Sequence, residues 1–332
     1  MKALCVTPAR TLTLREVPAP TDPPPAHVVL RMEACTINPG DKFFLNAPPH
    51  RAAPRSKYDV WGASGAGTVL AVGAGVPPHW VGRSVAVYRS LSPSEHALGT
   101  WSTLAQLPAR CCALIPEGLE ARDYSGSLVN VITAYAFAKQ AEADGHRGVL
   151  ITAGTSATGM ALVGIARSFG LRTVAIVRTE AGLHKLRGLG ADEVVAQSDA
   201  SFDSDVQGAV EQRAATAVFD AVGGTLLTRL APKLAQASTI YSYGYLGGHD
   251  VPLQLPTTLL MTKGLTLRSF SNFASPTVRD PQQLDAALRQ IGELFALPHC
   301  KTPLGRAYPF EQIDEAMAAL GKGEGKPVLV PS

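Results

Sequence analysis

Apolar and polar positions change rhythm several times along this chain. Val149-Leu150-Ile151-Thr152 and Thr173-Val174-Ala175-Ile176-Val177 are short unbroken apolar runs, the form taken by strands buried on both faces of a parallel sheet. Between them, residues 153–159 make a small, Gly-containing turn. Residues 160–168 then carry apolar side chains at helical spacing, with Gly170 placed to cap the helix. A helical stretch and a further strand at Glu193-Val194-Val195 follow, so this segment predicts a βαβ unit with a right-handed crossover.

The alternation extends in both directions. Residues 119–140 are helical in pattern, as are 204–213 and 226–234, while 217–220 and 238–243 have the look of strands. Ahead of this block prolines are dense, and short β-rich runs at 27–32, 67–72 and 84–88 are separated by turns, which predicts an irregular, mostly antiparallel β domain. Beyond it come a strand at 265–270, helices at 280–296 and 310–320, and a last strand at 326–330 expected to pair back with the N-terminal domain. The prediction is an α/β protein. A doubly wound parallel sheet spans 121–265, with its ligand at the C-terminal ends of the strands, and the β domain is discontinuous, over 1–120 and 266–332.

Composition narrows the classes. An apolar content of 46% and a charged content of 17% in 332 residues describe a globular chain with ample core. A net charge of +3, dispersed along the sequence, argues against a nucleic-acid partner. No window has the length of a transmembrane helix, and Met1-Lys2-Ala3-Leu4-Cys5-Val6 begins a strand rather than a signal peptide, so a cytoplasmic protein with no membrane partner is expected. Cys5, Cys35, Cys111, Cys112 and Cys300 form no C-x-x-C pair, and their spacing suits neither a disulfide framework nor a zinc knuckle.

The turn at 153–159 carries the first chemistry. A helix N-terminus offers unpaired N–H groups and partial positive charge, and the small residues Gly154, Ser156, Ala157 and Gly159 let a pyrophosphate approach the backbone. Ala157 stands where G-x-G-x-x-G has its middle glycine, and Met160-Ala161 after Gly159 excludes a P-loop. After the second strand an NAD site places an acidic residue on the ribose 2′-hydroxyl. This chain has Arg178, which suits a 2′-phosphate and favours NADPH, although Glu180 nearby opposes it.

With INPGD (37–41), GASGAGTVLAVG (62–73), V-G-x-x-V (81–85), the turn just described, LGADEVV, FDAVGG and GKPVLV in place, the chain resembles a zinc-free medium-chain dehydrogenase/reductase over nearly its whole length. VNVITAY (129–135) and AIVR (175–178) are most similar to trans-2-enoyl thioester reductases and their quinone-oxidoreductase relatives. The resemblance implies a GroES-like substrate domain joined to a Rossmann domain, the active site in the cleft between them, and a homodimer paired through the cofactor-domain sheet. Zinc-dependent members carry a cysteine where Asn38 stands, and a histidine and glutamate where Ala63 and Ser64 stand, so no metal ligand is expected. The resemblance further implies that Asn130 and Thr133 approach the nicotinamide end, and that Thr155, Ser156, Ala157 and Thr158 line the pyrophosphate. Tyr243, Gly244, Tyr245 and Leu246 would pass under the adenosine or nicotinamide, Phe270, Ser271 and Asn272 would sit near the carboxamide, and Lys326 near the phosphates.

One departure bears on the reaction. The thioester reductases carry a tyrosine proton donor a short way after the aspartate that corresponds to Asp41, where this chain has Pro48, Pro49 and His50. The proton then comes from water, from His50, or from Tyr58, and the amide of Asn38 is a candidate to hold the developing oxyanion or else to cap a turn before Pro39-Gly40. The expected activity is NADPH-dependent, zinc-independent hydride transfer to a quinone or an α,β-unsaturated carbonyl. The alternatives are reduction of a trans-2-enoyl CoA or ACP thioester, and a catalytically idle NADPH-binding protein.

Overall fold

The computed structural model describes residues 1–47, 56–322 and 325–331. The chain starts with β1 (Lys2–Val6), β2 (Leu12–Glu16), β3 (His27–Thr36), α1 (Pro39–Asn46), β4 (Ser64–Val72), β5 (Ser84–Tyr88), β6 (Leu104–Pro108), β7 (Cys112–Leu114) and α2 (Ser127–Ala143). Strand and helix then alternate through β8 (Gly148–Ile151), α3 (Ala157–Ala166), β9 (Arg172–Val177), α4 (Glu180–Gly188), β10 (Glu193–Ala196), α5 (Phe202–Arg213), β11 (Ala215–Asp220), α6 (Gly224–Leu230) and β12 (Thr239–Ser242). Next come α7 (Thr257–Lys263), β13 (Thr266–Ser269), α8 (Pro276–Arg279), α9 (Pro281–Leu294), β14 (Leu304–Pro309), α10 (Ile313–Ala319) and β15 (Lys326–Val330). These elements form two compact units, one of Met1–Asn130, Leu284–Ala296 and Lys301–Ser332, the other of Val131–Gln283 and Leu297–Cys300.

The second unit is built on a parallel sheet in the order β10-β9-β8-β11-β12-β13. Numbered within the unit this is the 3-2-1-4-5-6 order of a Rossmann fold, and the order reverses between β8 and β11. Leu150, Val174, Ile176, Val218 and Ile240 from its strands pack with Phe202, Val206 and Val210 of α5 and Leu227 and Leu230 of α6. That burial is why these strands read as unbroken apolar runs. α3 begins at Ala157, ahead of the start expected at Met160, because Ser156 caps it by accepting from the Gly159 N–H at 3.1 Å. Gly170, at φ 66°, ends the helical stretch as the sequence predicts.

The boundary at residue 266 needs correction. β13 pairs in parallel with β12, from Thr239↔Thr266 to Ser242↔Ser269, and so belongs to the parallel sheet rather than to the β domain. Its residues are all exposed, so it lacks the apolar signature of its sheet mates. At the other end, α2 starts at Ser127, after a single 3-10 turn over Ala121–Tyr124, and not at 119.

The first unit is the GroES-like one. Its main sheet runs β14-β15-β3-β4-β5-β7, with β6 also paired to β3. Only β14 and β15 lie parallel; the other pairs are antiparallel. β15 joins β3 through Val328↔Thr36 and Leu329↔Cys35, the return expected from the sequence. Gly67 allows the tight approach of β4 to β3, since a Cβ there would lie 2.2 Å from the Arg31 carbonyl oxygen. The result for function is that the end of β3, the start of β4 and the start of β15 meet. All five cysteines are buried and free. No helix among the described residues is long and apolar enough to cross a membrane.

Candidate functional site

In the Rossmann unit the chemistry gathers at the C-terminal ends of the strands, around the point where their order reverses. Thr152, directly after β8, donates from Oγ1 to Asp220 Oδ1 at the end of β11, at 2.8 Å. The same hydroxyl accepts from the Ala221 N–H at 2.8 Å, and Asp220 also takes the N–H groups of Val222 at 3.2 Å and Gly223 at 3.0 Å. Both side chains are fully buried. This latch fixes the loop after β8 against the loop after β11. Sequence reasoning missed its role, although both residues stand in motifs it had singled out, VLIT and FDAVGG.

From Thr152 the chain turns through Ala153, at φ 50°, to the Ser156 cap. Two glycines make the turn sterically feasible. A Cβ on Gly159 would lie 2.7 Å from the Ala153 oxygen, and one on Gly154 would press on Leu186 at 2.9 Å and Ala175 at 3.1 Å. Thr155, Ser156, Ala157 and Thr158 are consecutive and partly exposed, with Ala157 and Thr158 in the first turn of α3, where N–H groups point outward. Arg178 follows β9 directly and is exposed, with no hydrogen bond or ion pair to any described residue. Glu180 sits in the first turn of α4 and pairs with His184 at 3.5 Å.

Beyond the latch an aromatic stack orders the other predicted residues. Phe137 lies on Phe219 with centroids 4.0 Å apart, Phe219 lies on Tyr243 at 3.9 Å, and Phe270 meets Phe137 and Phe219 edge-on. The Tyr243 hydroxyl is enclosed, and burial, then the nearby Asp220 charge, push its pKa up. Ser156 lies close enough to moderate that shift, yet no hydrogen bond of standard geometry reaches the hydroxyl. Asn272 is buried as well, and its Nδ2 has no partner among the described residues. Unsatisfied buried donors of this kind are costly unless a water or a bound group completes the bonding. Gly244 lets its loop approach the Ala221 carbonyl, which accepts from the Leu246 N–H at 2.9 Å; Tyr245 and Leu246 are exposed, as is Ser271.

In the GroES-like unit a second cluster forms around Asn38, the N-cap of α1. Its Nδ2 donates to Ser64 Oγ at 2.7 Å, and more weakly to the Thr36 carbonyl and to Asp41 Oδ2, each at 3.3 Å. Its backbone N–H donates to Asp41 Oδ2 at 2.8 Å, while Asp41 Oδ1 takes the Ala63 N–H at 3.2 Å. The Asn38 Oδ1 accepts from Lys326 Nζ at 2.7 Å. Burial raises the Asp41 carboxyl, against the hydrogen bonds from Asn38 and Ala63 and the Arg89 charge. Burial also lowers the Lys326 ammonium to about 8, with Asp41 pulling the other way. The residue is half-buried as a whole, but its ammonium end is enclosed.

This arrangement changes the reading of several predicted residues. The Asn38 amide hydrogens point into the protein, so they are not offered to a substrate oxygen. Asn38 acts as the cap, and its carbonyl end holds Lys326. Lys326, expected near the phosphates, is placed in this cluster. Asn130 is buried on α2 and folds its Nδ2 back to the Gly126 carbonyl at 2.5 Å; Thr133 is partly exposed on the same helix. Tyr58 is 38% exposed at φ 59°, with Lys57 over its ring, and takes no part in the Asn38 cluster. His50 lies outside the described residues, as do Pro48 and Pro49. Among the described residues no group of three or more His, Cys, Asp and Glu side chains is placed to hold a metal ion.

Comparison with known proteins gives two family matches. Residues 24–117 match the alcohol dehydrogenase GroES-like domain, and residues 157–290 match the zinc-binding dehydrogenase family. The mitochondrial enoyl-[acyl-carrier-protein] reductase of Bos taurus is 31% identical over 260 residues, which is 74% of this chain but 64% of the bovine protein. The quinone oxidoreductase of Sus scrofa is 26% identical over 303 residues, 90% of this chain and 86% of that protein. The crystal structure of Escherichia coli quinone oxidoreductase complexed with NADPH superposes with a TM-score of 0.73 at 21% identity, over 99% of each chain, a likeness of fold.

Proposed function

The chain belongs to the zinc-free medium-chain dehydrogenase/reductase family, and from that premise we propose that it is an NADPH-dependent reductase of quinones or α,β-unsaturated carbonyls. The observation that carries the reading is the Rossmann strand-end site, with Arg178 exposed beside a capped, glycine-shaped helix start. The donor set fits a dinucleotide. The turn admits no Cβ at Gly159, and the Tyr243 hydroxyl and Asn272 amide are buried donors that await acceptors.

In this reading the start of α3, with Ala157 and Thr158, holds the pyrophosphate against backbone N–H groups. Arg178 pairs with a 2′-phosphate, and the absence of an acidic residue at the end of β9 removes the partner an unphosphorylated ribose prefers. Asn272 and Tyr243 donate to the nicotinamide end, which the Phe219 stack keeps flat and dry. When bound, NADPH supplies hydride to an electron-poor carbon of the acceptor. The protein must then steady the negative charge that develops on the acceptor oxygen and admit a proton.

A second reading, reduction of a trans-2-enoyl thioester, is favoured by the bovine relative's name and its 31% identity. Against it stands the chain itself, which has Pro48, Pro49 and His50 where those enzymes carry their tyrosine. The test is NADPH oxidation by the purified protein with para-benzoquinone, an enone, and crotonyl-CoA, each repeated with NADH. Turnover of quinone or enone with preference for NADPH is expected. Turnover restricted to crotonyl-CoA selects the second reading, and NADPH binding with no turnover at all leaves only a cofactor-binding protein.

A further inference from the structure

We propose that Ser94 and His27 form a second reactive site, a serine nucleophile with its general base, which takes the acyl group of small uncharged or cationic carboxylic esters. The site lies wholly within the GroES-like unit and does not rest on the reductase reading.

His27 opens β3, and its imidazole is held at both nitrogens. Nδ1 lies 2.8 Å from the Pro25 carbonyl oxygen, and Nε2 lies 2.8 Å from Ser94 Oγ. A carbonyl oxygen can only accept, so Nδ1 carries the hydrogen. In the neutral ring Nε2 is then an acceptor, and the Ser94 hydroxyl donates to it. This is the tautomer that a serine nucleophile requires of its base, fixed here by a backbone carbonyl where a triad uses a carboxylate.

The surroundings hold both partners in register. The His27 backbone pairs with Pro108 of β6, and its carbonyl accepts from the Gly73 N–H at 2.8 Å. Ser94 sits in the loop between β5 and β6. Gln106 of β6 ties that loop down, its side chain donating to the His96 carbonyl at 3.0 Å and its own carbonyl accepting from the Leu98 N–H at 2.9 Å. Ala26, just before His27, is kept at φ 61°, a conformation that a side chain disfavours. Its N–H donates to the Ala74 carbonyl at 2.7 Å, and its carbonyl accepts from the Ala109 N–H at 2.8 Å. Such strain persists only where the neighbours over-determine it.

The serine is placed to react outward. His27 is buried, whereas Ser94 is half-buried and Pro93, Glu95 and His96 around it are exposed. The His96 N–H donates to Ser94 Oγ at 3.1 Å, which steadies charge on that oxygen as its proton leaves. The backbone N–H groups of Ser94 and Glu95 donate to no described residue. The N–H that follows a nucleophilic serine is a natural donor to the oxyanion formed on attack. The Glu95 carboxylate, 88% exposed beside the serine, repels an anionic acyl group, which leaves uncharged and cationic esters.

The step balances. Ser94 Oγ bonds to the ester carbonyl carbon as its hydrogen passes to His27 Nε2, and the carbonyl π pair moves onto oxygen. That pair returns, the bond from carbon to the leaving oxygen breaks, and the alcohol departs with the proton from His27, leaving acyl-Ser94. Water then attacks through the same base and frees the acid.

The test treats the full chain with an alkyl fluorophosphonate, which labels activated serines, and locates the label by peptide mass spectrometry; hydrolysis of para-nitrophenyl acetate gives a second rate. Labelling at Ser94 is expected. His27→Gln, which keeps a polar side chain but supplies no base, should slow both reactions about 100-fold. Ser94→Ala should abolish the label with circular dichroism unchanged. The anionic mono-para-nitrophenyl glutarate should react more slowly than the acetate, and a faster reaction overturns the assigned ester class. An unlabelled protein, or a label confined to another residue, overturns the proposal. So does His27→Gln with the wild-type rates, since Ser94 is then an ordinary turn serine. Should either variant fail to fold, the wild-type rate decides: labelling of Ser94 no faster than that of N-acetylserine amide overturns the proposal.

Discussion

Thr152 and Asp220 are joined by a 2.8 Å hydrogen bond that spans β8 and β11, the strands between which the order of the parallel sheet reverses. The bond is buried, and each partner also receives backbone N–H groups from the loop after β11. Thr152→Val keeps the shape, removes the donor to Asp220 and orphans the Ala221 N–H. It should cost about 1–3 kcal/mol of stability, read as a lower denaturant midpoint, and should weaken NADPH binding because both site loops loosen. Thr152→Ser should restore most of the loss. Equal midpoints for wild type and Thr152→Val would show that the latch contributes nothing to stability.

Arg178 stands at the end of β9 with no partner among the described residues, so its removal disturbs little but a ligand. A charge-assisted bond to phosphate contributes about 1.5–3 kcal/mol, which is about one to two decades of affinity. Arg178→Ala should raise the dissociation constant for NADPH by that factor and leave NADH nearly unchanged, as measured by quenching of protein fluorescence. Equal losses for both cofactors would assign the arginine a structural role.

What the sequence made legible follows from which physics it records. β8, β9 and β11 are buried on both faces, so their apolar runs reveal them at once, and Gly170 marks a helix end because a left-handed residue is needed there. β13 misled because an exposed edge strand carries no burial signal. The glycine turn was legible as a turn, but the Ser156 cap that moves the helix start to Ala157 was not, since serine also fits a loop. Asn38 and Lys326 are far apart in sequence, and nothing local announces that β3 and β15 bring them to 2.7 Å. For that reason the sequence leaves the Asn38 amide open between holding a substrate oxygen and capping the turn before Pro39-Gly40, and the structure shows the cap, with the amide hydrogens committed inside the protein.

A polar corner of the Rossmann unit should set its acid stability. Tyr241 donates to Asp144 Oδ2 at 2.5 Å, Gln140 donates to its other oxygen at 2.9 Å, and Arg268 lies 3.4 Å from it. Burial alone would raise the Asp144 carboxyl, but these partners together hold it below its ordinary value. His146 bonds Tyr241 and Thr216, and burial lowers its pKa. In both cases the folded pKa lies below the unfolded one, so each contribution is present above the unfolded value and is lost as pH falls through the folded one. Stability should therefore decline as pH falls from about 6.5 toward and below about 3.9. Denaturant midpoints measured down this range should fall for wild type and flatten for Asp144→Asn combined with His146→Gln. A double variant with the wild-type slope would place the acid sensitivity elsewhere.

β13 ends the parallel sheet with its backbone edge unpaired among the described residues and all its side chains exposed, Leu267 at 47%. Met261 on α7, 78% exposed, and Leu246, 61% exposed, add apolar surface to the same unit. A bare strand edge is a template for another strand, and natural proteins blunt such edges with bulges, prolines or charge, whereas β13 is a regular strand with one charge, Arg268, already engaged by Asp144. A second copy of this chain is the expected partner, because a two-fold axis beside β13 would pair the strand with itself and continue one sheet through both subunits. Sedimentation should give a dimer of the 34.8 kDa chain, and Leu267→Glu with Met261→Glu should yield folded monomers, since exposed charge costs little in the monomer and much in a paired edge. A wild-type protein that sediments as a monomer at every concentration would sink the idea, as would a double variant that remains dimeric with its edge charged.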